Sequence, residues 1–347
     1  MSKSPYQTMS SSEPAPLSTD LMLPIPIHER FLVINPQTSS PFFSGLIPPE
    51  IRDAIFDYAL TEYTRTDAES IYPVDTAYTR PGYTGKRSIS ISFLLTCRRI
   101  YKETYHLPAT HKEHVFWHGR SPTVLVGDEN ERYYFRRFTE WQMKSIKEIH
   151  LFTQLFWLEN SFPRLCAQEC LQGMERMTIT IRRGDWWWNE SNTPLGIIPQ
   201  RRHSDNAQMM KDWKDEKEGK QIPWDSKAWG SAFARLGSLK ELVMELETSD
   251  DKKDELMAIV EKAKTWRFPY KNGTVLSAEG LREEVSTWQG PMCNWSGHCP
   301  YCGLRGKCKV VSPPNKGCEE RTRLKAENKG PICYVVRLRW RVVKGGQ

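Results

Sequence analysis

The chain has 347 residues, of which 39% are hydrophobic, with 13 Trp and a formal charge of +7. That length and apolar content suit two or three folded domains and exclude a wholly disordered polymer. No apolar run reaches the ~18 residues of a membrane helix, and Pro24 and Pro26 interrupt a first apolar stretch that lacks the basic lead of a secretory signal. The expected compartment is therefore cytoplasmic or nuclear, with no membrane partner. In that setting nine cysteines read as reduced thiols or metal ligands rather than a disulfide framework.

Residues 1–40 open on a run of Ser, Pro and Thr with little to bury and read as a disordered segment. A helical module is expected over 41–110. In "PFFSGLIPPEIRDAIFDYAL", Pro48 and Pro49 suit the first turn of a helix and Glu50 its positive end, while Ile51, Ile55 and Ala59 form an apolar stripe. A polar insert, 61–86, carries Pro73, Pro81 and Gly82 and reads as a loop. In "SISISFLLTCRRIYKETYHL", Leu94, Cys97, Tyr101 and Tyr105 share one face of a second helix, with Cys97 as a small core residue.

The remainder, 111–347, reads as irregular alternation of helices and strands. "EHVFWHG" and "PTVLVGD" suggest two strands. A repeated strand pattern then organises the chain: "SIKEIHLF" with Ile146, Ile149 and Leu151, "GMERMTITI" with Met174, Met177 and Ile179, and "SLKELVMEL" with Leu239, Leu242 and Met244. Each copy follows a segment of helical character ("ERYYFRRFTEWQM", "FPRLCAQECLQ", "SKAWGSAFARLG"), which implies parallel strands with helices on one side. A charged excursion, 200–228, interrupts the series and is expected to be exposed. An amphipathic helix is expected in "DKKDELMAIVEKAKTWRF", on Leu256, Ile259, Val260 and Ala263. The closing "CYVVRLRWRVVK" places Val336, Leu338, Trp340 and Val342 on one strand face and Arg337, Arg339 and Arg341 on the other. The fold class is thus α+β or α/β.

The motifs "GLIPPEIRDAIFDYAL" and "SFLLTCRRIYKETYHL" resemble the F-box-like N-terminal module of many fungal proteins, over about residues 42–107, and "MTITIRRGDWWW" resembles a segment common in the same group. The resemblance implies an N-terminal module that docks on a Skp-type adaptor of a cullin-type ubiquitin ligase, followed by a leucine-rich-repeat-like domain that selects a protein substrate. Carried onto this sequence, the adaptor-facing residues are Leu46, Pro48, Glu50, Ile51 and Ile55, with Leu95 and Cys97. The insert has no counterpart in a compact F-box, and a plain helical hairpin resting on the repeat domain is the competing reading of this segment.

Two further sites stand out. The strand at Met177 to Ile181 runs into "RRGDWWW", where Arg182, Arg183, Trp186 and Trp188 are candidates for a partner-binding surface. Strict alternation would put Trp186 and Trp188 opposite the apolar face. In the Cys-rich loop 293–318, Cys293, Cys299, Cys302 and Cys308 could hold a structural zinc, with a Gly- and Pro-rich loop of reduced thiols as the alternative. Residues 299–347 hold twelve Lys and Arg against three Glu, so this loop and the basic C-terminal region offer nucleic acid as an alternative partner. His106, His111, His114 and His118 are expected at the surface. No Walker loop, G-x-S-x-G elbow or H-E-x-x-H is present, so an enzyme reading rests on no motif.

Overall fold

A computed structural model describes residues 34–345 apart from 75, 123–133, 136–137, 189–192, 203–205, 292–322, 325 and 328. It is a mixed α+β structure built on one large mixed sheet. The Cys-rich loop with its four candidate zinc ligands, most of the basic segment before the final strand, most of "PTVLVGD" and residues 1–33 lie outside the described residues.

The sheet strands are β3 (His114–His118), β4 (Glu148–Thr153), β5 (Arg176–Ile181), β6 (Glu241–Ser249), β7 (Arg267–Pro269), β8 (Thr274–Ser277), β9 (Glu284–Gln289) and β10 (Ile332–Lys344), preceded in the chain by a short ribbon of β1 (Tyr63–Thr64) and β2 (Arg87–Ser88). Strands β3, β4, β5 and β6 run parallel in chain order. Beside β6 lies β10, antiparallel, and β10 in turn pairs with β9 along its first half and with β8 along its last four residues.

The three sequence repeats are neighbours in this sheet, and their matching residues pair across it. Ile149 faces Met177, which faces Leu242; Leu151 faces Ile179, which faces Met244. All six are buried in the main core. The charges flanking them also alternate in sign from copy to copy. Lys147 and Lys240 meet Glu175 at 3.3 and 2.5 Å, while Glu148 and Glu241 meet Arg176 at 2.7 and 2.8 Å. Such exposed pairs add little stability individually, and their value here is in setting the register. A one-residue slip would set like charges opposite each other and turn the apolar set to the wrong face.

The helical segments before the second and third repeats are shorter than their patterns suggest. The segment before the first repeat is helical at 134–135 and again at Glu140–Ser145, with a Thr139/Gln142 capping box, 131–133 and 136–137 lying outside the described residues; the second reduces to Phe162–Leu165 with one turn at Glu169–Leu171, and the third to a 3-10 segment, Trp229–Arg235. In the last segment a β-carbon at position 230 would lie 2.6 Å from the Pro199 carbonyl oxygen, so glycine there permits the close approach. The helix Lys253–Ala263 forms as expected and buries Leu256, Ile259, Val260 and Ala263. Val336, Leu338 and Trp340 of β10 enter the same core.

Two expectations about exposed segments are corrected. The charged excursion contains a helix, Asn206–Lys217, that buries Met209 and Trp213 against Ile198. The Trp213 ring lies where a side chain on Gly196 would stand, 2.1 Å from the position of its β-carbon, so glycine there makes room for the indole. The insert, expected as a polar loop, folds over the second face of the sheet and buries Tyr72, Tyr78 and Arg80. Strands β4 and β5 are consequently buried on both faces.

In the helical module, the first helix is Pro49–Ala59. The expected second helix breaks in three: a 3-10 turn Ile91–Leu95, a helix Arg98–Thr104 and a short helix Leu107–His111. The break falls at Cys97, which is extended and whose sulfur accepts from the Ile100 N–H at 3.5 Å. Cys97 is therefore a half-buried helix cap rather than a core residue, and it does not continue a face with Leu94, Tyr101 and Tyr105.

Candidate functional site

Two places bring together side chains singled out in the sequence, and a third gathers polar groups that the sequence left unmarked. The first is the outer surface of the helical module. Its interior is small: Phe56, Leu60 and Ile100 are buried, with Phe56 against Phe42 and Phe93 at ring distances of 6.3 and 5.3 Å. Arg52 and Arg99 join on Glu103, and both guanidinium groups lie over Phe43. Outside this knot, Leu46 is 78%, Ile51 54% and Leu95 79% exposed, with Tyr58 and Ile91 also in solvent. Pro48 and Glu50 are exposed as well, whereas Ile55 and Cys97 are half-buried. Ile51 and Tyr58 are seven residues apart and so share one face of their helix.

The second place is the end of β5. A 3-10 turn, Arg183–Asp185, breaks the alternation of the strand, so the phase extended from Met177 through the tryptophans does not hold. Arg182 and Trp186 are corrected accordingly. Trp186 is 4% exposed, sits in the main core and donates its indole N–H to the Glu247 carbonyl at 2.8 Å. Arg182 is buried, donates to Asp185 at 2.6 Å and to the Gly119 carbonyl, and lies over the Trp117 and Phe152 rings. Of the three tryptophans, Trp187 and Trp188 are the half-buried pair, 5.3 Å apart, with Trp187 donating to Glu159. Arg183 also remains half-buried.

The third place escaped the sequence reading: the polar layer between the insert and the sheet. Arg80 reaches down from the insert to Glu245 at 2.7 Å and Glu247 at 2.8 Å. Tyr83 donates its hydroxyl to Glu113 at 2.6 Å, within 2.7 Å of His150 Nδ1, which is itself 3.0 Å from the same carboxylate oxygen. On the other side of its ring, His150 Nε2 lies 2.8 Å from the Thr180 hydroxyl, and that hydroxyl donates to Glu245 at 2.8 Å. Because Thr180 spends its proton on Glu245, its oxygen accepts from His150 Nε2–H. Burial alone would push the Glu113 carboxyl up; the hydrogen bonds from His150 and Tyr83 and the Arg87 charge outweigh it and hold Glu113 at about 2. Burial likewise opposes Glu245, and the charge of Arg80 leads the groups that bring it below the ordinary range.

Glu113, His150 and Thr180 have the spacing of an acid–imidazole–hydroxyl relay. Thr180, however, is 0% exposed and already hydrogen-bonded to an acid, so no substrate reaches its oxygen and the layer acts as a structural lock. The only available signals for it were the aromatic and Arg content of the insert and the unmatched Glu245 and Glu247 on an otherwise apolar strand.

Of the histidines, His114 is corrected. It is buried between Tyr134 and the Ala109 carbonyl, at 2.8 Å from each, and burial lowers it to about 4. His118 stacks on Trp157 at 3.5 Å, and His111 lies 3.4 Å from Asp57. Among the described residues no group of His, Cys, Asp and Glu is arranged to hold a metal ion, and no helix is long and apolar enough to cross a membrane. Cys166 and Cys333 are buried thiols pushed well up by burial.

No protein-family model matches the chain, and comparison with curated proteins and with solved structures finds no significant match.

Proposed function

We propose that the chain is a docking protein of the F-box-like kind its motifs resemble: the helical module binds a Skp-type adaptor and the helix–strand domain presents a protein substrate to a cullin-type ligase. The observation that carries this reading is the set of large apolar side chains, Leu46, Ile51, Tyr58, Ile91 and Leu95, that the module leaves in solvent while its own interior is filled by Phe56, Leu60 and Ile100. Soluble surfaces do not gather such residues on one small module without a partner. Support for a leucine-rich-repeat-like substrate domain comes from four parallel strands in chain order with short helical turns between them. The antiparallel strands beyond β6 end that stack, so the repeat surface is short. Trp187, Trp188 and Arg183 are its half-buried recognition candidates.

On the nucleic-acid alternative, the arginines of β10 already have carboxylate neighbours, Arg337 and Arg339 on Glu284 and Arg341 on Glu241, while most of the basic segment before this strand lies outside the described residues.

The test is co-purification with a Skp-type adaptor. Ile51 is solvent-facing, so Ile51→Asp should leave the thermal midpoint unchanged while weakening the complex by at least about tenfold. An intact chain that shows no binding at micromolar concentrations would sink the reading.

A further inference from the structure

His150 lies in the polar layer under the insert, buried, and the hydrogen bonds around it do not close with a neutral ring. Tyr83 Oη, Glu113 Oε1 and His150 Nδ1 form a triangle with sides of 2.6, 2.7 and 3.0 Å. Tyr83 brings one proton and gives it to Glu113. With Nδ1 bare, its lone pair would meet a carboxylate oxygen at 3.0 Å and a phenol oxygen at 2.7 Å, both repulsive. A second proton, on Nδ1, turns both contacts attractive.

That proton is additional to the one on the far side of the ring. Nε2 already donates to Thr180, whose own hydroxyl proton goes to Glu245. Neither does Glu113 hold it, since its carboxyl is kept at about 2, nor does Tyr83 release one, since burial and the Glu113 charge push its hydroxyl far above the ordinary phenol range. Both ring nitrogens therefore carry hydrogen, and the ring is a cation.

The surroundings suit that charge. It acts on Glu113 and on Glu245. The guanidinium groups of the layer are held by acids of their own: Arg80 by Glu245 and Glu247, and Arg87 by Glu62 and Glu113. Further out, Arg337 reaches Glu245 from β10 at 3.7 Å, and Lys112 acts on Glu62. Phe152 stacks on the imidazole at 4.3 Å and closes its remaining face.

The same proton ties two layers together. Tyr83 belongs to the insert, Glu113 leads into β3, and His150 lies on β4. Without it, Nδ1 and Glu113 repel each other at the point where the insert is held, beside the packing of Tyr72 and Tyr78 with Trp117 and Phe152.

We propose that the insert is a proton-dependent latch: one proton shared between His150 and Glu113 holds it on the sheet, and loss of that proton at alkaline pH lifts it from Trp117 and Phe152. A free imidazole gives up its proton at about 6.5. The closed layer keeps the proton and the open one releases it, so opening becomes up to about tenfold more favourable per pH unit above that range and is level just below it.

Chymotrypsin reads the latch, because Tyr78 is buried while the insert is closed. Cleavage of the full chain after Tyr78, divided by the rate of the protease on a short peptide at the same pH, should rise at least about tenfold from about pH 6.5 to 9. His150→Gln has no proton to lose. Glu113→Gln keeps the ring but supplies an amide N–H that a neutral Nδ1 accepts. Both variants should be cut at a corrected rate independent of pH, with the thermal midpoint showing that each is folded. A wild-type rate that does not change with pH overturns the proposal, as does the same tenfold rise in either folded variant.

Discussion

Single residues in this protein are decided by what covers them more than by their type. Trp186 and Trp188 are two positions apart, yet the first is core and the second stands at the rim, because the turn at Arg183–Asp185 rotates the chain between strand and tryptophans. His114 shows the same effect in its chemistry. Burial lowers it from the ordinary 6.5 to about 4, so the folded state binds its proton less well than the unfolded state. The stability this represents is fully present above pH 6.5 and is lost as pH falls toward 4, a contribution on the order of 3 kcal/mol. By NMR, the His114 imidazole should titrate near 4 in the folded protein. A midpoint at the ordinary histidine value would show that the ring is not enclosed as described.

At the scale of elements, the insert is the part whose role changed most. By composition it is a polar excursion between two helices. In three dimensions it is a second layer, pinned by Arg80 on Glu245 and Glu247 and by Tyr83 on Glu113 and His150. Its two arms approach closely enough that a β-carbon on Gly85 would lie 3.0 Å from the Ser70 carbonyl oxygen, which explains a glycine at that place. Removing the cation should be severe, because Glu247 would lose its guanidinium partner and Glu245 would keep only Arg337, at 3.7 Å. Arg80→Met is expected to lower the unfolding free energy by about 3–5 kcal/mol in urea titrations, and the added changes Glu245→Gln and Glu247→Gln to restore part of it. A loss under about 1 kcal/mol would mean that the insert is a loosely held flap.

For the whole molecule, the organising fact is that the last strand is central. β10 fills the seam between the parallel half of the sheet and the antiparallel strands β8 and β9, and it sends Val336, Leu338 and Trp340 into the core. Among the described residues the two halves have no other strand in common. A chain shortened to remove 332–345 should show no cooperative thermal unfolding transition, whereas one that keeps a sharp transition would place the stable unit in the parallel half alone.

The repeat strands were legible because a period of two and a repeated L-x-x-L-x-L spacing reflect local geometry, and their register was written in the alternating Lys-Glu, Glu-Arg and Lys-Glu pairs that precede the apolar residues. The helix at Leu256 to Ala263 and the apolar face of β10 were legible for the same reason. The motifs of the helical module pointed to residues that do stand in solvent, Leu46, Ile51 and Leu95. What only the tertiary structure decided was everything that depends on a second layer: that Thr180, Arg182 and His150 are covered, that Trp186 turns inward, and that Glu62 keeps one oxygen without a partner. Sequence patterns record which residues share a face along one element. Burial of that face from the far side depends on segments over a hundred residues away, such as Arg80 on Glu245, and no local spacing carries that information.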